Sequence, residues 1–317
     1  MRIVVTGALG YIGSRLVRDV AAELPGSTIA LVDTLTAPPD TALVAQSRCE
    51  VCEADILSAD LERMFQHADA VVHLAALTHA ETTVRLHEME RVNVHGTERV
   101  AMACARAGVP LLFPSTTSVY GASGRLAEDC AADAIAPQTA YADTKLRGER
   151  LLGAIAGRHG LRFTIVRMAT VFGPSPRMRF HTAVNRFCRQ AATDGSIEVW
   201  RTAWNQVRPY LHIGDATAAM IFTLRHRIFE GQIYNIASVN IAVEHVIEAV
   251  RHTVPALTVQ AVDSPLMNTL SYGVDTERFT RLGFTYGGTL EQGIADVIAA
   301  VTIDAGYAPP VAVPLSR

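Results

Sequence analysis

The sequence predicts an α/β protein in which a doubly wound parallel sheet is joined to a smaller, interleaved C-terminal domain. Three observations support this prediction: short runs that are apolar throughout, helix-period segments between these runs, and a glycine-rich turn directly after the first run. Strands without polar alternation are typical of a parallel sheet that helices cover on both faces. A glycine turn between the first strand and the first helix favours a sheet of the Rossmann type.

The first half of the chain alternates predicted strands with predicted helices. The first strand, Ile3–Val5, precedes a helix whose apolar residues recur at helical spacing until Pro25 and Gly26 end it. Helices are also predicted over about 85–107 and from Tyr141 to about Arg158. The further predicted strands are Thr28–Asp33, Cys49–Cys52, Ala70–Leu74, Leu111–Ser115 and Phe163–Arg167.

Beyond about residue 170 the pattern is looser and predicts a second unit. Gly173–Pro176 predicts a loop, residues 181–192 predict a helix, and Pro209–Leu224 predicts a short strand that enters another helix. We therefore predict a dinucleotide-binding domain over residues 1–170 and about 207–240, and a substrate-binding domain over 171–206 and 241–317. The proline-containing tail from Ala308 is expected to be loose.

The charge balance excludes some classes of partner. The chain has 317 residues, of which 28 are basic and 31 acidic, for a formal net charge of −3. Such a balance leaves no basic footprint for a phosphate backbone, so nucleic acid is not expected to bind. No apolar run approaches the ~20 residues of a membrane span, and the N-terminus lacks signal-peptide features, so we expect a cytoplasmic protein. The single lysine is Lys145, and the other 27 basic residues are Arg.

The cysteines and histidines do not predict a metal site. Cys49 and Cys52 form a C-x-x-C, but residues three apart in a strand point to opposite faces. The five cysteines are an odd, scattered set, which does not suit a disulfide framework. No pair of histidines has the H-x-x-x-H spacing of a helical zinc site.

The glycine-rich turn has the spacing G-x-x-G-x-x-G between the first strand and the first helix. A dinucleotide pyrophosphate would meet free backbone N–H groups and the positive helix end there. Asp33 ends the second strand, where its carboxylate can accept from the ribose hydroxyls and would repel a 2′-phosphate, which favours NAD. The alternative is a structural turn and a surface Asp. The predicted cofactor contacts of the turn are Gly7, Gly10, Tyr11, Ile12 and Gly13.

Eight segments of the chain match, in order, the pattern of one known family: Thr6–Gly13, Ala54–Ile56, His73–Ala76, Val92–Thr97, Ser115–Gly121, Tyr141–Lys145, Phe172–Pro174 and Arg208–Asp215. In these segments the sequence resembles the extended short-chain dehydrogenase/reductase family, and within it the nucleotide-sugar epimerases and dehydratases. The resemblance implies that Asp55 and Ile56 lie at the adenine and that Leu74, Ala75, Ala76 and Asn93 lie along the rest of the cofactor. It also implies a homodimer through the helices near 85–107 and 141–158.

Tyr141 and Lys145 form the predicted catalytic pair. They are four residues apart on one helix, so they share a face and an ammonium can lie near the phenol. A nearby cation lowers the pKa of a tyrosine from its usual ~10, and the pair could then move a proton on a carbinol. The alternative is a surface pair on the helix. The resemblance adds Thr116 as the hydroxyl that bonds the reacting oxygen, against the alternative of an ordinary strand threonine.

The two residues after Thr116 favour one chemistry. The resembled 4,6-dehydratases carry Asp-Glu there, whereas this chain has Thr117 and Ser118, which cannot perform that proton transfer. Hydride chemistry remains, and self-recycling NAD favours epimerisation of a nucleotide-diphosphate sugar, with C4 as the expected position. The alternatives are a nucleotide-4-ketosugar reductase or dehydrogenase and, in another class, a cofactor-binding regulator without catalysis.

The resemblance also implies a set of substrate contacts. Arg208 fits the position of an arginine that pairs with the diphosphate, for which a guanidinium is well suited. Its alternative role is a salt bridge to Asp215. The other expected substrate contacts are Thr78, His79, Ser118, Thr170, Arg179 and Asn185.

Overall fold

The structure is a computed structural model that describes residues 1–34, 48–78, 82–263 and 270–304. Its central feature is a seven-stranded parallel sheet with the strand order β11-β7-β5-β4-β1-β2-β3. The strands of this sheet are β1 Arg2–Thr6, β2 Thr28–Asp33, β3 Arg48–Glu53, β4 Ala70–His73, β5 Leu111–Thr116, β7 Phe163–Met168 and β11 Gln232–Ile236. The predicted doubly wound, Rossmann-type sheet is therefore confirmed.

Helices cover both faces of the sheet. Side chains of β1 divide between two apolar clusters, because Ile3 and Val5 face one layer and Val4 the other. This two-sided burial explains why the strands are apolar throughout. The helices are α1 Tyr11–Glu23, α2 Leu61–Phe65, α3 Thr83–Glu90, α4 Thr97–Ala107, α5 Ala140–His159, α6 Ala183–Asp194, α7 Ile213–Arg225, α8 Val243–Thr253, α9 Glu277–Thr280 and α10 Leu290–Asp304.

The helix predicted near 85–107 has a feature that the sequence pattern does not reveal. Helices α3 and α4 are joined without a break by a π-helical segment, Arg91–Gly96, which contains Asn93. π-helical turns are rare in proteins, and those that occur are often found at functional sites. It lets the Asn93 side chain bond the backbone of Leu77 in the loop after β4.

The second half of the chain adds small sheets and a third apolar cluster. Three strands form a small sheet: β8 Thr170–Phe172, β10 Val207–His212 and β12 Val239–Ala242. The short strand predicted from Pro209 corresponds to β10, whereas the looser pattern did not reveal β8 and β12. Two parallel pairs join β9 Ser196–Trp200 to β13 Thr258–Val262 and β6 Gly124–Leu126 to β14 Tyr272–Val274. The third cluster packs α6, α8 and α10 around these elements. The tail from Ala308 lies outside the described residues.

Across the described ranges no helix is long and apolar enough to cross a membrane. In the same part of the chain, no group of three or more His, Cys, Asp or Glu side chains is arranged to hold a metal ion.

Candidate active site

The turn between β1 and α1 depends on glycine at two positions. Gly7 has a φ of +69°, and a Cβ there would lie 2.5 Å from the backbone nitrogen of Ala75. A Cβ on Gly13 would lie 2.3 Å from the carbonyl oxygen of Gly7. Both contacts are shorter than any side chain allows, so the turn closes tightly and leaves the start of α1 open. Such a helix start offers backbone N–H groups to a phosphate.

Asp33 ends β2 beside this turn, as predicted. One of its carboxylate oxygens accepts from the backbone N–H of Leu9 at 2.9 Å, and the other accepts from Thr34 at 2.8 Å. These bonds fix the carboxylate at the edge of the groove, where it would face the ribose of a dinucleotide.

Two cavities of about 410 and 470 Å³ meet at the glycine turn. Both are lined by Gly7, Gly10, Leu74 and Ala76. The larger cavity also contains the predicted cofactor residues Asp33, Asp55, Ile56 and Ala75. The smaller one contains Tyr11, Ile12, Gly13, Thr78, Tyr141, Lys145 and Arg179. A groove of two joined chambers, with an anchored acid in one and the helix start in the other, fits a dinucleotide.

Tyr141 and Lys145 face the smaller cavity from the first turns of α5. The expected lowering of the Tyr141 pKa is wrong for this structure. Burial raises the pKa of Tyr141 to about 12, and the charge of Arg179 opposes this only in part. A neighbouring positive charge alone would lower the pKa of Tyr141, but burial away from water has the larger effect on it here.

Lys145 is deeply buried, and its environment changes its charge. Its Nζ lies 4.1 Å from the centroid of the Phe113 ring, on β5. Burial lowers the pKa of Lys145 to about 7, while the carboxylate of Glu149 acts in the opposite direction. The ammonium assumed from the sequence is therefore poised between its two forms at neutral pH.

Thr116 lies at the end of β5 and is not among the residues that line the smaller cavity in the described part of the chain. Its Oγ1 accepts from the backbone N–H of Ser118 at 3.1 Å, which caps a short 3₁₀ turn. The Thr117 hydroxyl lies 3.4 Å from the hydroxyl of Tyr272. The guanidinium of Arg208 lies over the Tyr272 ring, 5.7 Å from its centroid. A second group of side chains therefore lies beside α5, formed by Thr116, Thr117, Tyr272 and Arg208.

Arg208 is half-buried on β10, and burial lowers its pKa. Its guanidinium donates to the side-chain oxygen of Gln206 at 2.7 Å. Asp215, the alternative partner considered from the sequence, instead accepts from Ser238 and from the backbone of Gly288. A desolvated guanidinium of this kind would be stabilised by an anion such as a diphosphate.

Asn93 connects the π-helical segment to the catalytic helix rather than lining either cavity among the described residues. Its amide donates to the carbonyl of Leu77 at 2.7 Å and to the Thr144 hydroxyl at 3.0 Å. The Thr144 hydroxyl donates to the carbonyl of Tyr141 at 2.8 Å. Asn93 thus joins the loop after β4 to the residue that carries the phenol.

Asn185 was expected to contact the substrate, but it is not among the described residues that line the smaller cavity. It is fully buried on α6, its Oδ1 accepts from the Gly173 N–H at 3.1 Å, and its amide donates to the Tyr11 hydroxyl and to the Arg179 carbonyl. The Tyr11 hydroxyl in turn donates to the Gly173 carbonyl at 2.7 Å. Asn185 therefore positions the loop that carries Arg179 against the start of α1, instead of binding a ligand itself.

The loop after β8 and the helix α6 together supply a basic wall, of which only Arg179 was predicted from the sequence. Besides Arg179, the smaller cavity is lined by Arg177 and Arg189. With Lys145 these make four cationic side chains, and no carboxylate occurs among its described lining residues. The closely spaced arginines of residues 177–189 were the available signal. Such a lining favours a ligand with several negative charges.

Four further expected substrate contacts remain. Thr78 lines the smaller cavity, as noted above. Ser118 and Thr170 are not among the described residues that line either cavity, although Thr170 begins β8 and pairs with Tyr210 beside Arg208. His79 lies outside the described residues.

Comparison with known proteins agrees with this site. The family model of the NAD dependent epimerase/dehydratase family matches residues 3–237. A dTDP-glucose 4,6-dehydratase of Streptomyces griseus is 29% identical over 311 residues, covering 94% of this chain and 93% of its own length. A UDP-glucose 4-epimerase of Azospirillum brasilense is 31% identical over 246 residues, covering 71% and 68%.

Among solved structures, the UDP-glucuronic acid 4-epimerase of Bacillus cereus in complex with UDP-glucuronic acid and NAD superposes with a TM-score of 0.83. It is 25% identical, and the match covers 96% of this chain and 99% of that one. NAD is thus the cofactor that the groove fits. The matched residues include the glycine turn, the pair Tyr141 and Lys145 and the end of β5, and the chain belongs to the NAD-dependent epimerase/dehydratase family.

Proposed function

We propose that this protein epimerises a nucleotide-diphosphate sugar at C4, through a transient keto-sugar. The observation that carries the proposal is the pair of neutral residues Thr117 and Ser118 after Thr116. A 4,6-dehydration needs an acid and a base that move protons at C5 and C6, and the hydroxyls of Thr and Ser cannot replace a pair of carboxyl groups in this role. The remaining groups suit removal and return of a hydride at one carbon.

The residues of the site have separate parts in this proposal. Bound NAD supplies the hydride acceptor and donor. Tyr141 takes the proton from the sugar hydroxyl and later returns it, and the positive charges of Arg179 and Lys145 favour its phenolate against the effect of burial. Because the Thr116 oxygen already accepts from Ser118, its own O–H is left to donate to the reacting oxygen.

We propose an acidic sugar nucleotide as the first substrate to test. The solved Bacillus cereus relative is a UDP-glucuronic acid 4-epimerase. The cationic lining described above, with no carboxylate among its described members, suits a ligand that carries a charge beyond its diphosphate. Arg208 supports the diphosphate end of the same ligand.

Incubation with a panel of UDP-, dTDP-, GDP- and CDP-sugars, including UDP-glucose and UDP-glucuronic acid, tests the proposal. We expect a C4-inverted product by NMR with no net absorbance change at 340 nm. Stoichiometric consumption of reduced cofactor would identify a ketoreductase instead. A product lighter by one water would identify a dehydratase.

We also propose that the protein is a homodimer formed through α3, α4 and α5. Val84 and Leu86 on α3 are 76% and 41% exposed, and such a dimer would cover them. Light scattering should give twice the chain mass of 34.2 kDa. A monomeric mass at micromolar concentration would refute this assembly.

A further inference from the structure

A buried ion pair lies directly behind the catalytic lysine. Glu149 follows Lys145 by one helical turn on α5, so the two side chains share a face. The Glu149 carboxylate accepts from Arg167 on β7, with 2.7 Å between Oε2 and Nη2 and 3.0 Å between Oε1 and Nε. The two side chains are only 4% and 5% exposed. A charge in such a position requires a partner charge.

Further hydrogen bonds hold the carboxylate in one orientation. The Ser115 hydroxyl donates to Glu149 Oε1 at 2.5 Å. Arg167 donates from its other terminal nitrogen to the Tyr120 hydroxyl at 3.0 Å. Ser115 immediately precedes Thr116 on β5, and Glu149 belongs to the helix that carries Lys145. The bond between Ser115 and Glu149 therefore joins the strand of the predicted catalytic threonine to the helix of the predicted catalytic lysine.

The charges around Lys145 are unbalanced. The ionisable groups linked to it are Tyr141 and Glu149 on α5, His73 on β4, Arg167 on β7, which pairs with Glu149, and Arg179 in the loop after β8, which acts on Tyr141. Among these five, Glu149 supplies the one carboxylate, while burial lowers the pKa of His73 to about 3 and raises that of Tyr141 to about 12. Two buried cations, Lys145 and Arg167, therefore share one carboxylate.

We propose that Glu149 is a positioning residue that enables Lys145 to carry its proton at neutral pH and that, through Ser115, fixes the strand end bearing Thr116. Without the carboxylate, Lys145 would stay buried but lose the negative charge that acts against the effect of burial. The lysine would then release its proton at a lower pH. The importance of that proton for turnover rests on the proposed function, whereas the effect on Lys145 itself does not.

The single lysine makes a direct measurement possible. Lysine labelled with ¹³C at Cε gives one protein resonance, which belongs to Lys145 without any assignment. Its titration by NMR should give a pKa of about 7 in the wild type. We expect Glu149→Gln to lower this pKa by about 1 pH unit or more. Ser115→Ala removes a bond to the same carboxylate but no charge, so it should leave the pKa of Lys145 unchanged.

The direction of the change separates this proposal from a structural role. If Glu149 only held the helix against the sheet, its loss would admit water and raise the Lys145 pKa toward ~10.4. An unchanged or raised pKa in Glu149→Gln therefore overturns the proposal. If that variant does not fold, combining Glu149→Gln with Arg167→Gln removes the guanidinium that the single change leaves unpaired. Lys145 still loses the Glu149 charge in the double variant, so here too the proposal requires a pKa below the wild type.

The pH profile of turnover provides the second measurement. Loss of the Lys145 proton should end activity on the alkaline side, so Glu149→Gln should move that limb to lower pH by the same amount as the NMR titration. A limb that stays in place while the NMR pKa falls would overturn the link to turnover. The NMR titration requires no substrate, so failure of the proposed epimerisation would not affect it.

Discussion

The Nζ atom of Lys145 lies 4.1 Å from the centre of the Phe113 ring, in a site that leaves the side chain only 4% exposed. A planar guanidinium is larger than an ammonium and does not release its proton in this environment. Lys145→Arg should therefore give a folded protein that has lost most of its turnover, by about 100-fold or more. Turnover on the active sugar nucleotide and the far-UV CD spectrum measure the two effects.

Arg150→Lys is the matched control for this exchange. Arg150 is exposed on the same helix, so the reverse substitution there should leave turnover within about twofold of the wild type. If Lys145→Arg retained full activity, the site would need only a positive charge, and the argument from size and proton release would be wrong.

Lys145 should also make the stability of the protein depend on pH. Burial lowers its folded pKa to about 7, so between pH 7 and the unfolded value of ~10.4 the unfolded chain binds more protons. Stability from this group must therefore rise with pH in that window and be lowest below pH 7. Relative to Lys145→Met, the wild type should gain about 2 kcal/mol in free energy of unfolding from pH 6 to pH 9. Urea unfolding of both proteins without NAD measures the difference.

Gly13→Ala should abolish NAD binding. The added Cβ would lie 2.3 Å from the Gly7 carbonyl oxygen, so the turn must open and its N–H groups must move. Gly153→Ala is the matched control, because a Cβ on this exposed position of α5 meets nothing within 4 Å. That control should bind NAD normally and gain about 0.5–1 kcal/mol in stability. Calorimetric titration with NAD would contradict the prediction if Gly13→Ala bound it with unchanged affinity.

Asp33→Ser should reduce the preference for NAD over NADP. The Asp33 carboxylate is fixed by the Leu9 and Thr34 backbone at the end of β2, where it would face the ribose hydroxyls. Its removal takes away the repulsion of a 2′-phosphate as well as a bond to the ribose. We expect NAD affinity to fall by about tenfold and NADP affinity to rise. An unchanged ratio of the two dissociation constants would contradict this placement of the ribose.

Most of the strands that the sequence predicts correctly are uniformly buried. The exception is β3, which was predicted from the run Cys49–Cys52 although its side chains are exposed or half-buried. The strands β1, β2, β4, β5 and β7 lie between two helical layers, so their apolar runs identify them. The strand β11 in the same sheet was not distinguished, because Gln232 and Asn235 interrupt its apolar run. Asn235 is nonetheless fully buried, since its amide oxygen accepts from the Tyr120 hydroxyl and its backbone N–H donates to Glu128. Pairings of this kind are tertiary and leave no local pattern.

The candidate site divides in the same way. Residues whose role depends on the backbone or on spacing along one element, such as Gly7, Asp33 and the pair Tyr141 and Lys145, lie where the sequence places them. Roles that depend on burial were misjudged. The pKa of Tyr141 is the clearest case, because desolvation is set by the surrounding fold and not by the neighbours in sequence.

Asn185→Ala should weaken binding in the substrate half of the ligand site more than in the cofactor half. The Asn185 side chain is 0% exposed and makes three bonds, to the Gly173 N–H, the Tyr11 hydroxyl and the Arg179 carbonyl. Its loss leaves these groups without that partner inside the protein, which should cost about 2–4 kcal/mol in free energy of unfolding. The loop that carries Arg179 would also lose its attachment to α6.

We therefore expect Asn185→Ala to weaken UDP binding by about tenfold or more while NAD binding changes less than threefold. Tyr11→Phe is the graded comparison, because it removes the hydroxyl from the same network and leaves the bonds between Asn185, Gly173 and Arg179 in place. Its effect on UDP binding should be smaller and in the same direction. Calorimetric titration with UDP, at saturating NAD and below the melting temperature of each variant, makes the measurement. If Asn185→Ala weakened NAD binding more than UDP binding, Asn185 would support the cofactor turn and not the substrate loop.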